Sequence, residues 1–579
     1  MLINQNQKNN TGHKRKMERN LTNIQTGTNG LSQYAVFLPA TSGFYSTFVG
    51  RQRYGNYVEP ARIPASFRSG VEGLNYLDPD KGEFYYKWCL YSAGHANLDL
   101  DKDDEAEDMF RNRDRSTSWV LGDSGGFQIG KGVWPADWKD PTCPKAQKKR
   151  EQVLRWMDEL MDYGMCLDIP AWVARMPAGR RATGINNYKD AVKGTYINNE
   201  YFIQNRTGAC KFLNVLQGET HKDAEKWYQS MKKFCDTKVY GDKAFNGWAM
   251  GGQNMCDAEL VLKRIVGLKF DNMLQEGQHD WMHFLGTSKL EWACLLTMIQ
   301  RSVRKHVNPS FTISYDCASP FLATANGQVY ITTELEDRAK WVYRMVPSVD
   351  DKKYASDTRL FKDVVIDDGI FKVFTPSPII DQVQIKDICI YGAGVPNWIE
   401  VDNDGIDHVA LFKDPLYLND PKYWITLGNT NKINKVGRTS WDSFSYAILM
   451  GHNVWSHITA VQTANDAVDN NILPYMLVDE KFNPVFVSDV IDKIVSSKTK
   501  RIALNLIKKY SKLWIDIPGT RGNCGKKTIN ADTKFNEFWT LDELEPDDLD
   551  SDDFDPTDFE FSEEDEDTLI NLEDSIKDE

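Results

Sequence analysis

The chain has 579 residues, 41% hydrophobic and 12% aromatic, enough for a large core and two or three domains. Its net charge of −14 looks unsuited to a nucleic-acid partner, but residues 541–579 hold twenty Asp and Glu against one lysine, which leaves 68 basic and 63 acidic residues for a mildly basic body. No apolar run approaches the ~20 residues of a membrane span, and the ten scattered cysteines show no C-x-x-C spacing, so the expectation is a cytoplasmic protein with reduced thiols and no membrane partner.

Residues 1–30 are polar, lack the apolar core of a signal peptide and read as a flexible leader. From 31 to 320, strand-like and helix-like runs alternate. Eight strands are expected, at 34–38, 87–92, 118–122, 164–168, 211–216, 245–250, 281–285 and 311–316. Between the later ones lie helical spacings: Val153, Leu154, Met157, Leu160 and Met161; then Leu260, Leu262, Ile265 and Val266; then Leu290, Cys294, Leu295 and Met298. Such alternation predicts an α/β fold with a parallel sheet, and eight units fit a (β/α)8 TIM barrel. An open doubly wound sheet is the alternative, but no G-x-G-x-x-G follows an early strand. Residues 321–435 change to short runs (VYIT, VVID, FKVF, ICIY, VALF) and predict a strand-rich insertion or second domain. Helical patterning returns over 436–540, and 541–579 reads as an acidic tail disordered by self-repulsion, with solubilisation preferred to nucleic-acid mimicry as its role.

Four strand-like runs end on a polar residue: VLGDSGGFQ, MCLDIP, NVLQGE and ISYDCASP. They place Asp123, Asp168, Gln217 and Asp316 just past four strands, and in a parallel barrel such positions converge on one face. Three carboxylates and an amide there suit base recognition and glycosyl chemistry. The sequence Gly-Asp-Ser-Gly-Gly also matches the nucleophile segment of chymotrypsin-like serine proteases, with Ser124 as the nucleophile. Those enzymes set His and Ser far apart on separate β-barrels, whereas here His95 lies close before Ser124 in a strand–helix alternation. A carboxylate followed by Ser-Gly-Gly lets the backbone approach a planar ligand closely, with Phe127 available to stack on it. Capping of a turn is the plain alternative for Asp123.

DSGGFQ at 123–128 resembles the signature of the tRNA-guanine transglycosylase family, whose members are TIM barrels. LDIP at 167–170, NVLQGE at 214–219, WAMGG at 248–252, HFLGTS at 283–288 and YDCASP at 315–320 resemble the family's further segments in the same order. The resemblance implies exchange of a guanine for a 7-deazaguanine without breaking the polynucleotide. Retaining glycosyl transfer needs a carboxylate that attacks the anomeric carbon. The match assigns that role to Asp316, and proton acceptance from the incoming base to Asp123. Asp168, Gln217 and the backbone around Gly251 and Gly252 would then hold the base edge, with Ser124 and Phe127 lining the pocket.

The chain departs from the family in two places. The cysteine-rich zinc site after the barrel is missing, since 318–579 contains only Cys389 and Cys524, so no metal and no cofactor is expected. His452 and His457 fall in a helical run that resembles the family's C-terminal helix, where packing is the simpler role. The arginine that follows the nucleophile segment is replaced by Phe321. These departures and the long insertion resemble the phage DNA-modifying branch, the DNA-guanine transglycosylases, so DNA is the expected partner and tRNA the alternative. Residues 496–512 offer a basic patch through Lys498, Lys500, Arg501, Lys508, Lys509 and Lys512. A non-catalytic subunit is disfavoured, because both Asp123 and Asp316 are present.

Overall fold

Every run expected to form a barrel strand does so. The computed structural model describes residues 31–520, apart from 51–57, 59–61, 103–106, 368–372, 391–399, 402–408, 411–439 and 481–483. The leader, the acidic tail and much of the expected insertion therefore lie outside the described residues. The barrel strands are β1 (Val36–Pro39), β2 (Trp88–Ser92), β3 (Trp119–Asp123), β4 (Tyr163–Met165), β5 (Lys211–Leu216), β6 (Gly247–Met250), β7 (Trp281–Phe284) and β8 (Thr312–Cys317). They form one parallel sheet in the order β1-β8-β7-β6-β5-β4-β3-β2. Its two edges meet where Ala40 bridges Leu90 and the Thr41 N–H donates to the Leu90 carbonyl at 3.0 Å, giving a TIM-like barrel.

Parallel neighbours require crossovers, and helices supply most of them. They are α1 (Gly43–Gly50), α2 (Pro144–Leu160), α3 (Tyr188–Asn205), α4 (His221–Met231), α5 (Ala258–Phe270) and α6 (Leu290–His306). Their starts are marked locally. Pro144 opens α2, and Asn187, Thr220 and Asp257 cap α3, α4 and α5 through side-chain oxygens that accept backbone N–H groups.

The barrel's N-terminal end is plugged by aromatics that begin four strands: Trp88, Trp119, Tyr163 and Trp281. Trp119 stacks on Trp281 with centroids 4.2 Å apart, and Trp88 meets Trp119 edge-on at 5.2 Å. Strand side chains alternate faces, so an inward Trp119 carries Leu121 and Asp123 inward with it, and an inward Trp281 does the same for His283. The plug thus fixes which residues face the cavity at the opposite, C-terminal mouth.

After β8, the short helix α7 (Ser319–Ala325) leads into an antiparallel pair, β9 (Gln328–Glu334) and β10 (Val342–Pro347). VYIT lies in β9 as expected. VVID does not form a strand: it ends a helix over Phe361–Asp367, and ICIY overlaps a short helix over Ile385–Ile388. Phe361, Val364 and Val365 are all buried, so the apolar spacing is helical once Phe361 is counted with the run.

The long helix α8 (Ser443–Asp469) packs against α1, α6, α7 and β9. It is buried on most sides, which fits its position between the barrel and the β9–β10 pair. Arg62 anchors its start through a buried two-pronged pair with Asp442, both contacts at 2.7 Å. His457 stacks between Phe37 and Tyr343, at centroid distances of 4.4 and 4.6 Å, and His452 bonds the Tyr330 carbonyl at 2.8 Å. Burial pushes His452 down to about 4 and His457 to about 3, so both pack as neutral rings. Two further helices, α9 (Val487–Val495) and α10 (Lys500–Lys509), lie on α5, and α9 also on α6. Among the described residues no helix is long and apolar enough to cross a membrane.

Candidate active site at the barrel mouth

Asp123 is the last residue of β3 and stands in register with Ser92, the last residue of β2. The Ser92 hydroxyl donates to Asp123 Oδ2 at 2.6 Å. Asp168 lies three residues beyond β4 on a loop tied to α3, where Ile169 N–H donates to Thr195 Oγ1 at 2.9 Å and Asn198 Nδ2 to the Leu167 carbonyl at 2.8 Å. Gln217 directly follows β5, and its Nε2 donates to Asp168 Oδ2 at 2.8 Å. Asp316 is inside β8, with Oδ1 accepting from Gly286 N–H at 2.9 Å and lying 3.1 Å from His283 Nε2.

Glycines clear space around these groups. A Cβ on Gly126 would lie 2.8 Å from Asp168 Oδ1, and one on Gly251 would lie 2.6 Å from Gln217 Nε2. Gly252 has φ +54°, and a Cβ there would lie 2.5 Å from the Gly218 carbonyl, so a side chain is excluded by conformation and by space. The Gly251 N–H is committed to the Leu216 carbonyl at 2.8 Å. The glycine pair therefore contributes mainly the room in which Gln217 reaches Asp168.

The carboxylates act on one another. Burial raises Asp123 above the usual carboxylate range, the Ser92 hydrogen bond opposes that, and the charge of Asp316 raises it further. Burial likewise pushes Asp168 up to about 7, against the Gln217 hydrogen bond and with a contribution from the charge of Asp123. Asp316, Asp123 and Asp168 thus form a chain of acids within one another's field. Burial and the neighbouring charge both favour the protonated form of Asp123 and of Asp168.

Ser124 follows in the same loop, buried, with no hydrogen-bond partner for its hydroxyl among the described residues. No histidine among the described residues hydrogen-bonds it. Phe127 lies in the first turn of the short helix Gly126–Gly130 and meets Trp172 at 5.5 Å between ring centroids; both rings are half-buried. Asp123, Asp168, Gln217, Gly251, Gly252 and Asp316 are therefore all placed at strand ends on one face of the barrel. Ser92 and His283 join them without having been expected. Their signal was positional: each lies an even number of residues from an inward tryptophan on its own strand.

A cavity of about 810 Å³ opens beside this mouth, between β10, the start of α6 and α8, and includes none of the three carboxylates. Its lining mixes acids (Glu291, Asp479, Glu480 and Asp516) with cations (Lys289, Arg338 and Lys340). Among the described residues no group of three or more His, Cys, Asp or Glu is arranged to hold a metal ion. No protein-family model and no curated protein matches the chain.

Proposed function

We propose that the chain is a transglycosylase that exchanges guanine in a polynucleotide for a 7-deazaguanine base, with DNA as the polymer. The observation that carries this reading is the placement of Asp123 and Asp316 at the C-terminal ends of β3 and β8 on one barrel mouth, Asp123 held by the Ser92 hydroxyl and Asp316 by the Gly286 N–H and the His283 ring. Asp316 attacks C1′ as the C1′–N9 bond breaks, and the bonding pair leaves with the guanine. That base takes the proton held by Asp123. The incoming base then returns a proton to the Asp123 carboxylate and attacks C1′, which releases Asp316 with the pair of the ester bond. Two displacements retain configuration, and Asp123 ends as it began. Asp168 and Gln217 face the base edge, where a wrong base would leave a buried acid unpaired. The order of motifs resembling the transglycosylase family supports the same chemistry.

A duplex guanine must leave the stack to reach such a pocket, at a few kcal/mol. The basic residues of α10 are exposed and divide by height. Lys269, at the end of α5, bonds the carbonyls of Val495 and Ser497, so α10 begins near the barrel's closed end. Thr520 bonds Ala258 N–H at the start of α5, so the chain after α10 reaches the mouth side. Lys508, Lys509 and Lys512 are therefore the cations nearer the mouth.

Labelled guanine incubated with the protein and either duplex DNA or tRNA tests the proposal. Label is expected in the DNA. Label in tRNA alone favours the tRNA-guanine transglycosylase alternative, and label in neither contradicts base exchange.

A further inference from the structure

His283 is fully buried, and both its ring nitrogens have partners. Nε2 lies 3.1 Å from Asp316 Oδ1, and Nδ1 lies 2.9 Å from Ser314 Oγ. A carboxylate only accepts, so the proton of the pair belongs on Nε2. Ser314 Oγ already accepts the indole N–H of Trp281 at 2.8 Å, and an indole only donates. The serine's own hydrogen is then directed to Nδ1. Donation runs one way, from Trp281 through Ser314 and His283 to Asp316.

Gly286 N–H reaches the same oxygen, Oδ1, at 2.9 Å. Two donors thus converge on Oδ1, and none among the described residues is recorded for Oδ2. An oxygen that accepts two hydrogen bonds has its lone pairs engaged and is the poorer nucleophile. We infer that His283, oriented by Ser314, is a positioning residue that makes Oδ2 of Asp316 the attacking oxygen; this rests on the base-exchange function proposed above. In the first displacement Oδ2 bonds C1′ as the C1′–N9 bond breaks, the pair goes to the base, and the base takes the Asp123 proton. Oδ1 becomes the ester carbonyl oxygen. In the second, the incoming base breaks the Oδ2–C1′ bond, and the charge returning to the carboxylate spreads onto Oδ1, where His283 and Gly286 stabilise it. His283 keeps its own proton throughout.

The experiment compares guanine exchange in the full chain and its variants, with melting temperature as the control for folding. His283→Phe removes the donor and is expected to slow exchange ~10–100-fold, with KM for guanine within about 2-fold. His283→Gln offers an amide N–H near the same place and is expected to recover most of the loss. Ser314→Ala, a small deletion that spares the fold if His283→Phe does not, is expected to slow exchange ~3–10-fold. Wild-type exchange in His283→Phe or, where that variant does not fold, in Ser314→Ala overturns the inference, as does a glutamine variant as slow as the phenylalanine one. Exchange that survives Asp316→Asn counts instead against the base-exchange function itself. Nitrogen-15 NMR of labelled histidine reads the tautomer without activity: a bare Nδ1 with a protonated Nε2 supports the relay, and a bare Nε2 overturns it.

Discussion

Asp123 and Ser92 occupy matching positions at the ends of adjacent strands, and the 2.6 Å hydrogen bond between them is the main contact that holds the Asp123 carboxyl down against its burial. Ser92→Ala removes it. A hydrogen bond to a charged group favours the charged form, so its loss leaves burial and the neighbouring carboxylate less opposed. Asp123 then rises further, and the second displacement of the proposed exchange, which needs its carboxylate, loses rate on the acidic side. Exchange by the variant should fall below wild type on the acidic limb of the profile, and the loss should shrink in alkali. Superimposable pH profiles for the variant and the wild type would contradict this role.

Asp168 makes the folded protein sensitive to pH in the opposite sense to an ion-paired acid. Its folded value is raised to about 7 from 3.8, so between those limits the native state binds the proton and the unfolded state does not. Stability therefore declines as pH rises from about 4 to about 7 and levels off above, a total on the order of 4 kcal/mol at most. Asp168→Asn removes the effect. Denaturant unfolding should show the variant gaining on the wild type by about 2–3 kcal/mol between about pH 5 and about pH 8. A constant difference across that range counts against the raised value.

Gly251 and Gln217 should behave as one unit. A methyl group on Gly251 would occupy the place of Gln217 Nε2, so Gly251→Ala displaces the amide from Asp168. Gly251→Ala and Gln217→Ala are each expected to raise KM for the incoming base ~10-fold, and the double variant no more than either alone. Additive losses would show that the glycine serves something other than the amide.

The height of the basic residues on and flanking α10 predicts an asymmetric effect on DNA binding. Replacing Lys508, Lys509 and Lys512 by Glu should weaken binding and lower the slope of log affinity against log salt by about 2–3. The same change at Lys498, Lys500 and Arg501, nearer the closed end, should leave the slope near the wild-type value. Equal effects from both sets would remove the mouth-side placement of the polymer.

The barrel was legible because its strands are short apolar runs, four of them followed by a conspicuous polar residue and the later ones separated by helical spacing. Asp123, Asp168, Gln217 and Asp316 were legible for the same reason, since a polar residue that ends a buried run is conspicuous. Ser92 and His283 were not, because one sits in SAGH and the other inside an apolar run. Only the shared inward face with Trp88 and Trp281 brings them to the mouth, and that relation is one of register. VVID was misread because a four-residue window cannot separate a β-branched strand from the buried face of a helix begun at Phe361.

The proposed exchange requires Asp316 to form a covalent bond to the sugar. Denaturing the protein during turnover on a guanine-containing DNA duplex, then resolving protein–DNA adducts and mapping the modified peptide, tests it directly. An adduct on the peptide that contains Asp316, lost in Asp316→Asn, is the predicted result. An adduct that persists in that variant, or maps to another residue, would contradict it.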